Sequence, residues 1–436
     1  MKILFSKYQI ALTLLVFGTT GLLFAFPQLW TYTLGPLHDP ARIGYPFADM
    51  LARLEVAEGV AHGIDVNKEQ NPFSPSTSLN NKPLYTVHTL ALLGLGIEDH
   101  LLLGVLFGLF YLLWNCIILK PNSFLELALC AAISLSPPAL MLLERGNDDI
   151  IVYSFIMIVP ILMTSRMMLS HILAWSVICL VTPIKYYPAA CFSLILNLKS
   201  STRSKAAYFV ASSVFITCFY LMIRGEISDI GGRLPDPQPY FAFGSKLIGP
   251  IIGLEIGIGQ SIATIAFFAA SSLLIIRRLP QPISSDRSQL SGFYFLLGSS
   301  AVTFCFLTAS NWDYRLAFLI PTVPYCLELL HNNQGKAVRI ISGCYLAAVI
   351  VSIWVEQIYY VIVMDHEAGG WMVDFASYQN ILLIKHSATY VMIAGNVFIS
   401  ILILRPALLA SIKDLPQQCN RTKCTLVAAL DSRLNH

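Results

Sequence analysis

The stretch His100–Leu119, HLLLGVLFGLFYLLWNCIIL, runs for twenty residues without an Asp, Glu, Lys or Arg. An α-helix rises about 1.5 Å per residue, so this stretch is long enough to cross the roughly 30 Å hydrocarbon core of a bilayer. A surface helix of a soluble protein would carry a continuous polar face, which this stretch lacks. It therefore predicts a transmembrane helix.

The composition of the whole chain supports the same environment. Charged residues make up 12% of the chain and apolar residues 56%, and the mean hydropathy is +0.66, whereas soluble proteins are about 25% charged. The net charge is only +3, and no basic run alternates with aromatic residues, so nothing indicates a nucleic-acid partner. The lipid bilayer is the partner that the composition predicts. Most of the ten cysteines lie in or beside apolar segments as small hydrophobic residues.

Apolar segments recur along the chain and predict an all-α polytopic membrane protein. Residues 1–405 form a single transmembrane domain, and residues 406–436 form a cytoplasmic tail. The segment Leu84–Gly96 is too short for an ordinary span and predicts a juxtamembrane or re-entrant helix. About twelve spans are expected, at 8–29, 100–119, 124–143, 149–165, 168–184, 187–198, 206–223, 248–276, 289–308, 316–331, 338–360 and 382–404.

The distribution of charge predicts which connections face the cytoplasm. With a cytoplasmic N-terminus, 17 of the 28 Lys and Arg fall on the cytoplasmic side, against only five of the 25 acidic residues. This bias follows the positive-inside rule. If Leu84–Gly96 crossed the bilayer, the later basic clusters would face outward. We therefore expect a multi-pass protein with both termini in the cytoplasm.

The largest connection, residues 30–99, is expected on the outer face. Its part Phe47–Gly63 has helical periodicity, with apolar residues on one face and Asp49 and Arg53 on others. That pattern predicts a helix lying on the membrane surface. Asp49 is then either a functional carboxylate or a solvated residue of the polar face.

Three further polar connections also map to the outer face. They are Glu144–Asp149, Pro183–Pro188 and Ser310–Arg315. Ionisable residues in such short connections between spans are costly, so they are paired, functional or both. We expect the four polar regions to line one cavity. The simpler alternative is that these charges pin helix turns, and that Lys185 reaches toward the interface from an aromatic belt.

A cavity with one carboxylate and several cations suits transfer of a group from a lipid phosphate. The carboxylate takes the proton of an acceptor hydroxyl, and Arg or Lys neutralises the departing phosphate. Arg145, Lys185 and Arg315 are the candidate phosphate contacts. Asn147, Asp148, Tyr186 and Asp313 are candidate sugar or supporting contacts. The sequence contains no Gly-rich nucleotide loop.

Five short motifs give the chain a resemblance to a known family. They are PFADM (46–50), NKPLY (81–85), ERGNDD (144–149), KYYP (185–188) and DYR (313–315). In this order they resemble the GT-C superfamily of polyprenyl-phosphate-sugar-dependent glycosyltransferases, nearest to its bacterial alpha-mannosyltransferase-like branch. The resemblance implies a GT-C-like fold in the bacterial inner membrane. It also implies transfer of a hexose or pentose, on the outer face, to a glycan, lipid or protein acceptor.

The same resemblance implies roles for individual residues. An acidic residue of the first outer loop is the catalytic base, and we assign this role to Asp49, with Asp39 in reserve and Asp65 third. Lys82 resembles a lysine that handles the lipid phosphate. No cofactor is expected; many members of the superfamily need no metal, and a divalent cation is left open without being indicated.

Three other functions are compatible with the sequence. A transporter or lipid-linked glycan flippase predicts inverted repeats and broken helices, and the Gly-rich region 249–259 around Glu255 is its best feature. A glycan polymerase or ligase predicts an arginine-rich late loop, whereas here the largest loop comes first. A non-catalytic scaffold leaves the charges between the spans unexplained.

Overall fold

The computed structural model describes residues 6–34, 46–66, 68–74, 84–198, 200–231, 242–279, 286–308, 311–331, 335–363 and 378–406. The first part of the chain forms short and long α-helices in alternation. They are α1 (Lys7–Ala25), α2 (Gln28–Leu34), α3 (Ala48–Ala61), α4 (Leu84–Leu92), α5 (His100–Ile118), α6 (Phe124–Ser134), α7 (Pro137–Arg145), α8 (Asp148–Ile156), α9 (Val159–Thr164) and α10 (Met168–Val181).

The second part contains most of the long helices. They are α11 (Thr202–Gly231), α12 (Ile248–Ile252), α13 (Ile258–Ile276), α14 (Asp286–Thr308), α15 (Val323–His331), α16 (Lys336–Val363) and α17 (Tyr378–Pro406). Three 3-10 helices cover Ile97–Asp99, Tyr187–Asn197 and Asp313–Thr322. Two antiparallel strands, β1 (Ala242–Phe243) and β2 (Asn311–Trp312), pair Ala242 with Trp312 and Phe243 with Asn311.

The structure confirms the all-α membrane architecture but does not confirm the expected number of about twelve spans. Seven helices in the described residues are long and apolar enough to cross a bilayer, or eight if the bent pair α6–α7 is one span. They coincide with seven of the twelve expected segments. The other five segments, at 124–143, 149–165, 168–184, 187–198 and 316–331, form shorter or broken helices.

Proline explains several of the breaks. A proline removes a backbone donor and clashes with the preceding turn, so it is tolerated only at the start of a helix. Pro137 and Pro138 begin α7, which is bent by 45° from α6. Pro160 stands at the start of α9, and Pro188 at the start of the 3-10 helix Tyr187–Asn197.

The two long 3-10 helices are unusual, since such runs rarely exceed three or four residues. They contain eleven and ten residues. A 3-10 helix rises about 2.0 Å per residue, so each covers about 20 Å, further than an α-helix of equal length would reach. Both pack against α14. The apolar part of α14 is 72% buried, so this helix forms the centre of the fold.

The peripheral helices present their apolar side chains outward. The apolar parts of α11 and α13 are only 17% and 11% buried, respectively. Phe209, Phe267 and Leu274 are largely exposed on them. In water such surfaces would be unfavourable, so they are the faces expected to meet lipid.

The connections between helices form two groups, and the connections within each group contact one another. Ser6 donates to the carbonyl of Pro121, His331 lies 2.6 Å from Glu126, and Arg405 donates to the carbonyl of Leu279. All of these connections were expected on the cytoplasmic side. The polar connections expected on the outer side contact one another instead, as described below. The direction in which each group faces stays a prediction.

In the first long connection, residues 30–99, one expectation about the predicted surface helix is corrected. Helix α3 is present as predicted, but Asp49 and Arg53 are both buried, so its polar residues face protein rather than a water-exposed surface. Helix α4 has nine residues and reaches about 14 Å, which is too short to cross a bilayer. Asp39 and Lys82 lie outside the described residues.

Phe47 fixes the start of α3. Its backbone is in the left-handed region (φ 62°, ψ 41°), which is strained for a non-glycine residue. Its N–H donates to the carbonyl of Glu144 at 2.9 Å, and its ring lies 5.3 Å from that of Phe24. A Cβ at Gly104 would lie 2.2 Å from the ring, and one at Gly146 would lie 2.8 Å from the Phe47 Cβ. Two glycines therefore make room for the side chain that places α3.

We predict that Gly104→Ala destabilises the protein by about 1–3 kcal/mol, because the added methyl group overlaps the Phe47 ring. The measurement is thermal unfolding of purified protein in detergent. Gly18→Ala in α1 is the matched control, since nothing lies within 4 Å of its Cβ position. Equal melting temperatures for the two variants would contradict this packing.

Candidate functional site

The four polar regions meet in one group of side chains, which we call the charge cluster. Three ion-pair systems make it up, centred on Asp49, Asp148 and Asp149. Its members come from α3, the α7–α8 junction, the start of the 3-10 helix Tyr187–Asn197 with the residues before it, and β2 with the 3-10 helix that follows it. They are Asp49, Arg53, Arg145, Asn147, Asp148, Asp149, Lys185, Tyr187, Asn311 and Arg315. The four polar regions therefore contact one another, and the expectation that they line a cavity stays a prediction.

The α7–α8 junction follows from local sequence chemistry. Gly146 adopts a left-handed conformation (φ 57°) and ends α7, as glycine commonly does. Asn147 then caps α8, and its side chain accepts from the N–H of Asp149 at 3.2 Å. Asp148 and Asp149 occupy the first turn, where the helix dipole favours negative charge. This tight junction brings Arg145 and Asn147 to the same neighbour.

That neighbour is Asp49. Arg145 donates through Nε to Oδ2 and through Nη2 to Oδ1, both at 3.1 Å. Asn147 donates to Oδ2 at 2.6 Å. The guanidinium of Arg145 also lies 6.0 Å from the ring of Trp312, over which it makes a cation–π contact. The carboxylate of Asp49 is therefore held in orientation by a two-bonded arginine and an amide.

Asp148 forms the second system. Arg53 donates through Nε to Oδ2 at 2.6 Å and also through Nη2. Lys185 Nζ lies 3.9 Å from the same oxygen. Arg53 is one helical turn after Asp49, so both side chains leave α3 on the same face. Helix α3 thus contributes one carboxylate and one cation to the cluster.

Asp149 forms the third system. Tyr187 donates its hydroxyl to Oδ1 at 2.8 Å, and Arg315 Nε lies 3.4 Å from Oδ2. Arg315 also donates to the side chain of Asn311 and lies 5.7 Å from the ring of Tyr187. Burial opposes the charge of Arg315, but the charge of Asp149 outweighs this effect and raises the pKa of the guanidinium above its ordinary value. Arg315 therefore stays charged.

Burial divides the cluster into two layers. The side chains of Arg53, Asp148 and Asp149 are only 0–3% exposed. Those of Asp49, Arg145, Lys185 and Arg315 are 12–23% exposed. Within the inner layer Arg53 pairs with Asp148, whereas Asp149 pairs with Arg315 of the outer layer. The outer layer is partly exposed. Its accessible edge presents three cations and one carboxylate, which is the arrangement that an anionic ligand with a reacting hydroxyl requires.

Two of the predicted contacts lie elsewhere. The ring of Tyr186 packs 6.1 Å from that of Phe219. Asp313 turns away from the charge cluster and accepts from Lys385 at 2.5 Å. Asp148, predicted as a substrate contact, belongs to the buried layer and holds Arg53.

Sequence reasoning missed several members of these networks. Arg53 is not among the predicted site residues, although it stands four residues after Asp49 and therefore lies on the same face of α3. Lys385 and Glu356 were not singled out. Lys385 interrupts the apolar segment 382–404, and an ionisable residue in a span needs a partner, so the signal was present. The partner itself is 72 residues away in sequence.

No group of three or more His, Cys, Asp or Glu in the described residues is arranged to hold a metal ion. Comparisons of the chain with models of protein families, with curated proteins and with solved structures found no match. The inferences below therefore rest on the side chains themselves.

We predict that Arg53→Met destabilises the fold by about 3–5 kcal/mol, since it removes the buried cation that donates twice to the buried carboxylate of Asp148. Adding Asp148→Asn to that variant is expected to recover part of the loss, because the uncompensated charge is then removed. Unfolding in detergent measures both variants.

Lys68→Met is the control, because Lys68 forms an exposed pair with Asp65 and such pairs contribute little. A stability of Arg53→Met equal to that of this control would show that the inner layer does not hold the fold together.

Proposed function

We propose that the chain is a membrane glycosyltransferase that moves a sugar from a polyprenyl phosphate to an acceptor hydroxyl. One observation carries this proposal. Asp49, the first-loop carboxylate expected to be the base, keeps 12% of its side chain exposed beside Arg145, and the other partly exposed charges of the cluster are Lys185 and Arg315. A base beside phosphate-neutralising cations is what the transfer requires.

In the proposed reaction, the acceptor oxygen forms a bond to the anomeric carbon as the bond from that carbon to the phosphate oxygen breaks. The electron pair goes to the phosphate, and the hydroxyl proton goes to Asp49. The departing lipid phosphate gains negative charge, which the cations offset. Arg145 and Arg315 offer paired N–H groups for phosphate oxygens, and Lys185 offers a point charge.

The contacts of Asp49 support an ordered proton transfer. Arg145 favours the charged carboxylate, so Asp49 accepts a proton only as the acceptor oxygen becomes acidic during bond formation. Once Asp49 is protonated, the guanidinium of Arg145 loses its counter-ion, and its charge acts on the departing phosphate. Asn147 fixes the carboxylate orientation throughout.

The resemblance to the GT-C superfamily supports the donor class, since its members use polyprenyl-phosphate sugars. By the same resemblance we place the reaction on the outer face of a bacterial inner membrane. The acceptor is a hydroxyl of a glycan, a lipid or a protein. The sugar is a hexose or a pentose.

A lipid-linked glycan flippase is the second candidate. It is favoured by the bent pair α6–α7, whose far end carries Arg145, and by the two long 3-10 helices that begin at the cluster. Broken helices with charged residues at the break are typical of transporters. In that function the same cations bind the lipid phosphate and release it unchanged.

We predict that Asp49→Asn lowers the rate of sugar transfer by about 10²–10⁴-fold, the usual contribution of a general base. The measurement uses purified protein in proteoliposomes with radiolabelled sugars from a panel of polyprenyl-phosphate donors. Asp65→Asn is the control, because Asp65 is 43% exposed and pairs with Lys68 rather than with the cluster. Its activity is expected to equal that of the unmodified protein.

Full transfer by Asp49→Asn would exclude Asp49 as the base. Movement of labelled donor between leaflets, without transfer to any acceptor, would support the flippase. Thermal unfolding of both variants separates a loss of activity from a loss of fold.

A further inference from the structure

A second group of buried charges lies apart from the charge cluster. Lys385 on α17 donates to Asp313 Oδ2 at 2.5 Å and to Glu356 Oε2, on α16, at 2.6 Å. We call these three residues the Lys385 triad. Lys385 and Asp313 are 1% and 5% exposed, and Glu356 is 17% exposed. The proposed transfer reaction uses none of them.

The triad contains one cation and two carboxylates. Among the described residues, no Lys or Arg other than Lys385 forms an ion pair with either carboxylate. With all three groups ionised the triad carries one uncompensated negative charge. In a buried, weakly polar environment such a charge is costly, and the least costly remedy is a bound proton.

The groups around the triad do not supply the missing positive charge. Tyr378 donates its hydroxyl to Glu356, and the ring of Tyr359 lies 5.7 Å from that of Tyr378. His386 follows Lys385 on α17 and is 1% exposed. Neither of its ring nitrogens has a hydrogen-bond partner. A second cation beside Lys385 would be repelled, so the histidine does not compensate the carboxylates.

The electrostatic environment of Asp313 also favours a bound proton. Burial raises the pKa of this carboxyl and Glu356 raises it further, while Lys385 lowers it; the pKa lies at about 7. Two carboxylates that share one cation lose their protons as a pair rather than independently. Asp313 and Glu356 both accept from the same Lys385 Nζ, so a change of charge at one of them alters the balance at the other.

We propose that Asp313, Glu356 and Lys385 form a proton-binding site, in which the two carboxylates share one exchangeable proton held beside the lysine. The partly exposed Glu356 is the route by which the proton enters and leaves. The ligand of this site is the proton itself, and its binding requires neither a sugar donor nor an acceptor.

The site is joined to the charge cluster by a short piece of chain. Asp313 directly follows Asn311 and Trp312 in the chain. Arg315 donates to the side chain of Asn311, and Arg145 lies over the ring of Trp312. The pairing of β2 with β1 holds these two residues in place. Gain or loss of the proton changes the net charge at Asp313, and therefore acts on the segment Asn311–Arg315 that contributes to the cluster.

The first test follows the protonated carboxyl group by infrared spectroscopy of the purified full-length protein between pH 5 and pH 9. A carboxylic C=O band is expected in acid and is lost as the pH rises through about 7. Glu356→Gln and Asp313→Asn each remove one of the two carboxylates of the triad, so each is expected to abolish this band. Glu328→Gln, which removes a carboxylate that accepts from Ser291, is the control and is expected to retain the band.

Loss of the band in only one of the two triad variants would show one independently titrating group and would overturn the shared site. A band that is absent from the unmodified protein at every pH would show a plain ion pair and would also overturn it.

Stability supplies a readout that does not depend on spectroscopy. A carboxyl group whose pKa is raised by folding stabilises the protein fully in acid, and this contribution is lost as the pH rises through about 7. The melting temperature of the unmodified protein is therefore expected to fall more between pH 5 and pH 8 than that of Glu356→Gln. Parallel curves for the two proteins would contradict the proposal.

The link to the charge cluster is tested through Trp312. The difference in tryptophan emission between the unmodified protein and Trp312→Phe is expected to change with the same midpoint as the infrared band. In the Glu356→Gln background this difference is expected to be constant with pH. A difference that is constant in the unmodified protein would show that proton binding does not reach the segment Asn311–Arg315.

Discussion

The ion pair between Arg145 and Asp49 is the contact on which the arrangement of the site depends. Neither charge is stable alone in weakly polar surroundings, so the α7–α8 junction and the first long connection must meet. Lys185 beside Asp148 and Arg315 beside Asp149 extend the same requirement to two further connections. Four distant parts of the chain thereby converge on one position. Burial of charge fixes position here more than it adds stability.

The packing around Phe47 makes this convergence possible. Helix α3 can place Asp49 against Arg145 only if its first turn approaches Glu144 closely. A strained backbone at Phe47 and the space left by Gly104 and Gly146 permit that approach. The strain is sustained because the surrounding helices leave the ring no alternative position. A local backbone conformation is thus stabilised by contacts distant in sequence.

The broken helices have a role as well as a cause. A continuous helix ends where the bilayer ends, whereas a helix broken by proline can end inside the fold and direct its terminal residues inward. The junctions at Arg145–Asp149, Lys185–Tyr187 and Asn311–Arg315 all lie at or next to helix ends inside the fold. This architecture suits an enzyme that meets lipid-linked substrates, and it also suits a transporter, because both must bring polar groups to a lipid phosphate.

The sequence by itself determined the membrane environment, the helical class and the helix of the first loop, and it predicted that the polar connections carrying Asp49, Arg145, Lys185 and Arg315 lie together. Length, hydropathy and charge are properties of local segments, and they can be evaluated without knowing which segments touch. Only the tertiary structure decided that the twelve apolar segments give seven or eight spans among the described residues. It also decided that Arg53 holds Asp148, and that Lys385 pairs with both Asp313 and Glu356. These outcomes depend on which side chain is nearest to a buried charge. That neighbour is selected by packing between elements far apart in the chain, and the order of residues does not encode it locally.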